Sequence, residues 1–149
     1  MDTRKPNGVG RKYEKYAKNK KHEGEDYNFY DRAMCDNSII EEFNHFVLVE
    51  NLFPYQIWDG FEVDKHLLLI PKKFTDTISN FSPAEKEEYF EILSKYEAQG
   101  FSIYARAAQN VRKTVKHQHT HLITLNYDQR VNWLFNIANK ILWWNNFSK

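Results

Sequence analysis

The stretch TVKHQHTHLITL, residues 114–125, holds three of the chain's six histidines within five positions: His117, His119 and His121. Its β-branched and aliphatic neighbours, Val115, Thr120, Leu122, Ile123 and Leu125, favour a strand over a helix. Side chains on a strand alternate between faces, so the three imidazoles are expected on one side, roughly 6.5–7 Å apart. A packed core suits such a row poorly, because every ring needs a hydrogen-bond partner there. Groups that titrate near neutrality on one face of a rigid element point to chemistry. A His-x-His pair can also offer two ligands to zinc, but a third protein ligand must come from elsewhere. Neither a cysteine pair nor a His-Glu-x-x-His helix supplies it, so no metal is assigned and metal binding stays as an alternative reading.

Upstream, His66-Leu67-Leu68-Leu69-Ile70 is a short apolar run ended by Pro71, with Lys72 and Lys73 beyond. Four consecutive aliphatics predict a strand covered on both faces. Before it, SIIEEF from Ser38 and HFVLVEN, separated by a turn at Asn44, read as a hairpin. Pro54 in Asn51-Leu52-Phe53-Pro54-Tyr55 excludes a helix from that loop, and Asp59-Gly60 signals a turn. Between the two histidine-bearing stretches lies the clearest helix, over 83–99. Ser82 is placed as its N-cap, Pro83 at the first helical position and Glu85 for a capping box. Tyr89, Ile92, Leu93 and Tyr96 recur at helical spacing, and Gly100 closes the element. Phe101–Ala108 reads as a strand and 109–113 as a polar loop. Residues 127–132 read as a turn-rich link, and 141–144 as a last strand docked on the sheet or at a dimer contact. Some five strands in hairpin-like succession with one main helix predict an α+β domain on an antiparallel sheet.

At 149 residues the chain fits one domain able to bury a core. The lone Cys35 excludes an internal disulfide and the usual cysteine-rich zinc modules, and suits a reducing compartment. No apolar run approaches the roughly 20 residues of a membrane span, and the basic start lacks a signal peptide's apolar stretch. A cytoplasmic protein without a membrane partner is expected. Charge is uneven: residues 1–22 carry a net +6 and the rest −5. Residues 1–25 are therefore expected to form a basic, flexible arm on a domain spanning 26–149. Such an arm is more often solvated than bound to nucleic acid. Residues 27–34, YNFYDRAM, are aromatic enough to dock on the body.

With these residues in view, the chain resembles the histidine triad (HIT) nucleotide hydrolases and transferases. The signature His-x-His-x-His followed by two apolar residues stands as His117-Gln118-His119-Thr120-His121-Leu122-Ile123. The run from His66 through Pro71 to Lys72 resembles the family's strand ending in Ile-Pro-Lys, and Asn51-Leu52-Phe53-Pro54 resembles its ribose-contacting turn. Together these span about residues 38–125. The resemblance implies a HIT-like fold and a possible homodimer. It also implies a reaction at the α-phosphate of a nucleoside phosphate derivative: a phosphoramidate, an acyl nucleotide or a dinucleoside polyphosphate. His119 would be the nucleophile, forming a nucleotidyl-histidine, with its second ring nitrogen held by a backbone carbonyl near His117. His117 and His121 would flank the phosphate, with His121 assisting the leaving group. Thr114 would contact phosphate, Asn51 the ribose and Leu52 the base. His66 would stand behind the histidines, and no cofactor is required.

The chain also departs from the pattern. The family's glycine-rich loop is replaced by Asn110-Val111-Arg112-Lys113-Thr114, where Arg112 and Lys113 reshape the pocket or add phosphate contacts. Phe74 stands where a further histidine often follows the Pro-Lys-Lys segment, and Trp58-Asp59-Gly60 lengthens a loop. The alternatives are a nucleotide-binding module without turnover and a metal-binding protein.

Overall fold

The computed structural model describes residues 29–35, 38–110, 113 and 115–130. In chain order these form helix α1 (Phe29–Cys35), strands β1 (Ile39–Glu42), β2 (Phe46–Glu50), β3 (Ile57–Trp58) and β4 (Phe61–Pro71), and a 3-10 turn (Ile78–Asn80). Helix α2 (Pro83–Glu97) and strands β5 (Ser102–Ala105) and β6 (Thr120–Arg130) complete them. The sheet is antiparallel throughout, in the order β1-β2-β4-β6-β5, with β3 folded back on the first half of β4. Neither described helix is long and apolar enough to cross a membrane.

The central strands owe their place to the apolar runs. Phe46 and Leu48 on β2, Leu67 and Leu69 on β4 and Leu122 on β6 face α2, whose Tyr89, Ile92, Leu93 and Tyr96 complete one core. The intervening Val47, Val49, Leu68 and Ile70 face the other way, against Ala33 of α1 with Phe29, Tyr30 and Ile39 beside it. Each such aliphatic side chain contributes about 1.5–3 kcal/mol when fully buried, and covering both faces is what lets four in a row occupy one strand.

α2 begins as its sequence predicts. The Ser82 hydroxyl accepts from the Glu85 amide at 3.2 Å, and the Glu85 carboxylate accepts from the Ser82 amide at 2.6 Å. Gly100, at φ 88°, turns the chain out of the helix towards β5. Farther along α2, Glu88 accepts from the amides of Asn44 and His45, fixing the β1–β2 turn.

Among the described residues the antiparallel sheet has six strands where about five were expected: Ile57–Trp58 adds one by pairing with Phe61–Glu62 across a tight turn in which Asp59 (φ 50°) and Gly60 (φ 85°) are both left-handed. Two expectations are corrected. Residues 127–130 continue β6: two irregularities in the β4–β6 register let a polar segment stay paired as far as Phe61 opposite Arg130. A second helix, α1, forms within the aromatic segment that was expected only to dock. The expected arm, residues 1–25, and the expected strand over 141–144 lie outside the described residues.

Candidate active site

β6 begins at Thr120, so His117 and His119 precede the strand and only His121 lies on it. The expected row along one strand is therefore replaced by a bent approach. The rings of His119 and His121 stand 5.2 Å apart at 72°, edge to face. Gln118 is turned the other way: its amide donates to the Thr75 carbonyl at 2.6 Å, and its side-chain oxygen accepts from Lys113 Nζ at 2.8 Å. Thr120 faces α2, its hydroxyl 2.7 Å from that of Tyr89.

Hydrogen bonds assign the tautomers. His119 Nδ1 lies 2.8 Å from the His117 carbonyl, which can only accept. In the neutral ring the Nδ1 proton is thus committed, and the lone pair sits on Nε2. The Tyr55 amide donates to His66 Nδ1 at 2.9 Å, so neutral His66 carries its proton on Nε2. That atom donates to His121 Nδ1 at 2.8 Å, which leaves the His121 proton on Nε2. A directed chain therefore runs from the Tyr55 amide through His66 to His121. It is walled by rings, with Tyr55 stacking on His121 at 5.4 Å and Tyr104 beside it at 5.8 Å.

His117 is enclosed rather than open beside the other two rings. Its ring is 0% exposed. Nδ1 accepts from the Phe29 amide at 3.0 Å, and Phe74 packs on the ring at 5.2 Å. Nε2 is buried beside the carbonyls of Lys73 and Pro71, which favour its charged form without making a well-shaped hydrogen bond. Burial nevertheless dominates, pushing His117 down to about 4. Its contribution to the site passes through its carbonyl. His119 is also pushed down to about 4, first by burial, then by the positive charges of Lys113 and Arg106, against the opposing pull of the His117 carbonyl. Unlike His117, it keeps part of its surface exposed, with Phe29 tilted against it at 5.5 Å.

Among the other expected residues, His66 is brought directly into the site. Leu52 is 53% exposed. The Asn51 side chain is already engaged, its oxygen accepting from the Phe53 amide at 3.0 Å. Its nitrogen lies 3.1 and 3.4 Å from the two ring nitrogens of His66. Near-equal distances place that amide over the ring face, so a ribose contact competes with the hold on His66. Thr114 lies outside the described residues.

Arg106 and the pair Tyr55 and Tyr104 were missed from sequence. Their signal was faint but present: Tyr104 and Arg106 alternate at i, i+2 at the end of β5, and Tyr104 pairs across to His121. Among the described residues no three His, Cys, Asp or Glu side chains form a metal-binding group.

No family model matches the chain, and no curated protein matches it in sequence. Solved structures do match in shape. A HIT family protein from Bacillus anthracis aligns over 85% of this chain and all of its own length, with a TM-score of 0.52 and 20% identity. A HIT-like protein covers 67% of this chain and 100% of its own at TM-score 0.53 and 16% identity. This chain has the histidine triad fold. A HIT family hydrolase from Clostridium thermocellum matches over 69% of this chain and 93% of its own, with a TM-score of 0.50 and 16% identity. At such identities the likeness to HIT proteins concerns the fold, and the site must argue for itself.

Proposed function

We propose that the protein is a nucleotide hydrolase or transferase of the HIT type, acting at the α-phosphate of a nucleoside phosphate derivative through His119. The observation that carries this reading is the bond from His119 Nδ1 to the His117 carbonyl. It leaves Nε2 as a lone pair on a partly exposed ring that stays neutral well below pH 7. In the first step Nε2 bonds to the α-phosphorus and the bond to the leaving group breaks, its electron pair departing with that group. The ring becomes a nucleotidyl-imidazolium whose Nδ1–H strengthens its bond to the carbonyl. His121 Nε2–H, oriented by His66, donates a hydrogen bond to the phosphoryl oxygens as charge develops on them, and a leaving group that needs a proton takes it from solvent. Water or another acceptor then takes the nucleotide from His119, its proton passing to solvent. Lys113 and Arg106 keep the site positive for the phosphate. The exposed Leu52 offers apolar surface for the base.

The test is incubation with a panel of adenylyl and guanylyl substrates labelled at the α-phosphate, followed by assay of acid-labile nucleotide on the protein. Wild type is expected to carry label. His119→Ala is expected to carry none and to lose about 10⁴-fold or more of its turnover while remaining folded. Full activity in His119→Ala would end this reading.

A further inference from the structure

The ring of His119 takes its orientation from one peptide unit, the one that joins His117 to Gln118. The carbonyl of that unit accepts the Nδ1 proton of His119 at 2.8 Å. Its N–H belongs to Gln118 and donates to the Thr75 carbonyl at 2.6 Å. In a planar trans peptide these two groups point in opposite directions, so whatever fixes the N–H also aims the carbonyl. The receiving segment is itself braced. The Thr75 hydroxyl donates to the Thr77 carbonyl at 3.1 Å, and the Thr77 hydroxyl caps the 3-10 turn by accepting from the Ser79 amide at 3.4 Å.

A single bond would let the peptide rock about it. Gln118 makes a second attachment to the same segment through its side chain. Its Oε1 accepts from Lys113 Nζ at 2.8 Å, and the same ammonium donates to the Asp76 carbonyl at 2.7 Å. An ammonium can only donate, which settles which end of the Gln118 amide faces it. Lys113 thus bridges Gln118 to the residue next to Thr75. Gln118 is 3% exposed, so little water is at hand to replace the lysine once that bond is lost. We propose that Gln118 is the positioning residue for His119: held at two points on residues 75–76, it fixes the peptide whose carbonyl keeps the proton of His119 on Nδ1 and the lone pair on Nε2. Gln118 touches no reacting atom in this scheme. If its peptide turns, the proton is shared between the two ring nitrogens, and a ring protonated on Nε2 has no lone pair there with which to attack. This rests on the reading of His119 as nucleophile.

The experiment uses the full chain and reads the tautomer directly, by nitrogen-15 NMR of the imidazoles at neutral pH, with the His119 signals assigned by their loss in His119→Asn. Wild type is expected to show one tautomer, protonated on Nδ1. Gln118→Leu keeps the backbone amide and the charge of Lys113 but removes the acceptor, and is expected to show a mixture of both tautomers. With adenosine 5′-phosphoramidate as the probe substrate, its kcat is expected to fall about 10–10²-fold while KM stays within about threefold. Gln118→Glu, which still accepts from Lys113, is expected to return His119 to the single tautomer. A single Nδ1–H tautomer in Gln118→Leu would overturn the proposal, whatever the rate. Should Gln118→Leu fail to fold, Gln118→Asn, too short to reach Lys113 from the same backbone, decides by the same spectrum. A tautomer mixture beside an unchanged kcat leaves Gln118 as the residue that orients the ring and removes His119 as the nucleophile, so the two readings fail separately.

Discussion

The two faces of β6 solve opposite problems with alternate residues of one strand. Towards α2, Thr120 and Leu122 meet a tyrosine hydroxyl and a packed aliphatic layer. Towards α1 and β5, His121 meets another imidazole and two tyrosine rings. On the first face a polar atom is paired once and sealed, which serves stability. On the second every bond has a direction and the direction ends at an N–H donor, which is what the proposed chemistry would use. The comparison teaches that stability and reactivity here are divided by a pleat, and the division can be attacked from either side.

The largest effect is expected from the reactive face. His121→Asn removes the hydrogen-bond donor at the end of the directed chain and is expected to lower kcat about 10²–10³-fold. The midpoint of thermal unfolding should barely move; a large drop in it would show that His121 is a structural residue after all. Next comes the packed face. Leu122→Ala, at a fully buried position, is expected to cost about 2–5 kcal/mol in denaturant unfolding, with turnover per folded molecule largely kept. A loss of turnover matching that of His121→Asn would break the division. The smallest effect sharpens it through pH. Because His119 titrates at about 4, kcat/KM should hold from neutrality down and fall as pH passes through about 4, when the nucleophilic lone pair takes up a proton. Lys113→Met removes a charge that opposes that proton, so the acid limb should move upward, and Lys113→Arg should leave it in place. A limb near the ordinary imidazole value in wild type would contradict the burial of His119.

Much of this arrangement was legible where the deciding interactions are local. The capping box at Ser82 and Glu85 needs four consecutive residues, and the two-sided burial of 67–70 needs only the run itself. His66 was placed behind the histidines only by the family resemblance, and its bond to His121, 55 positions away, is a tertiary contact. What stayed hidden depends on distant chain. His117 is enclosed because the Phe29 amide and the Phe74 ring close on it, and no pattern within 114–125 encodes either. The extension of β6 to Arg130 depends on irregular pairing with β4, which no alternation in a polar segment announces. The approach of Asn51 to the His66 ring is likewise a tertiary event that no local pattern announces. Arg106 lay within the expected strand over 101–108, and its place near the histidines follows only from the sheet order, which sets β5 against β6.

The amide of Phe29 opens α1, and such first-turn amides have no partner within their own helix. Here the missing acceptor is the His117 ring, supplied from 88 positions away. An imidazole can play that part only while it is uncharged. Strong acid, below about 4, would set a proton where the amide points and leave two donors facing each other. The same event that silences His119 would then also unlatch α1, so the molecule would lose its reactivity and one wall of its site within a single narrow span of acidity.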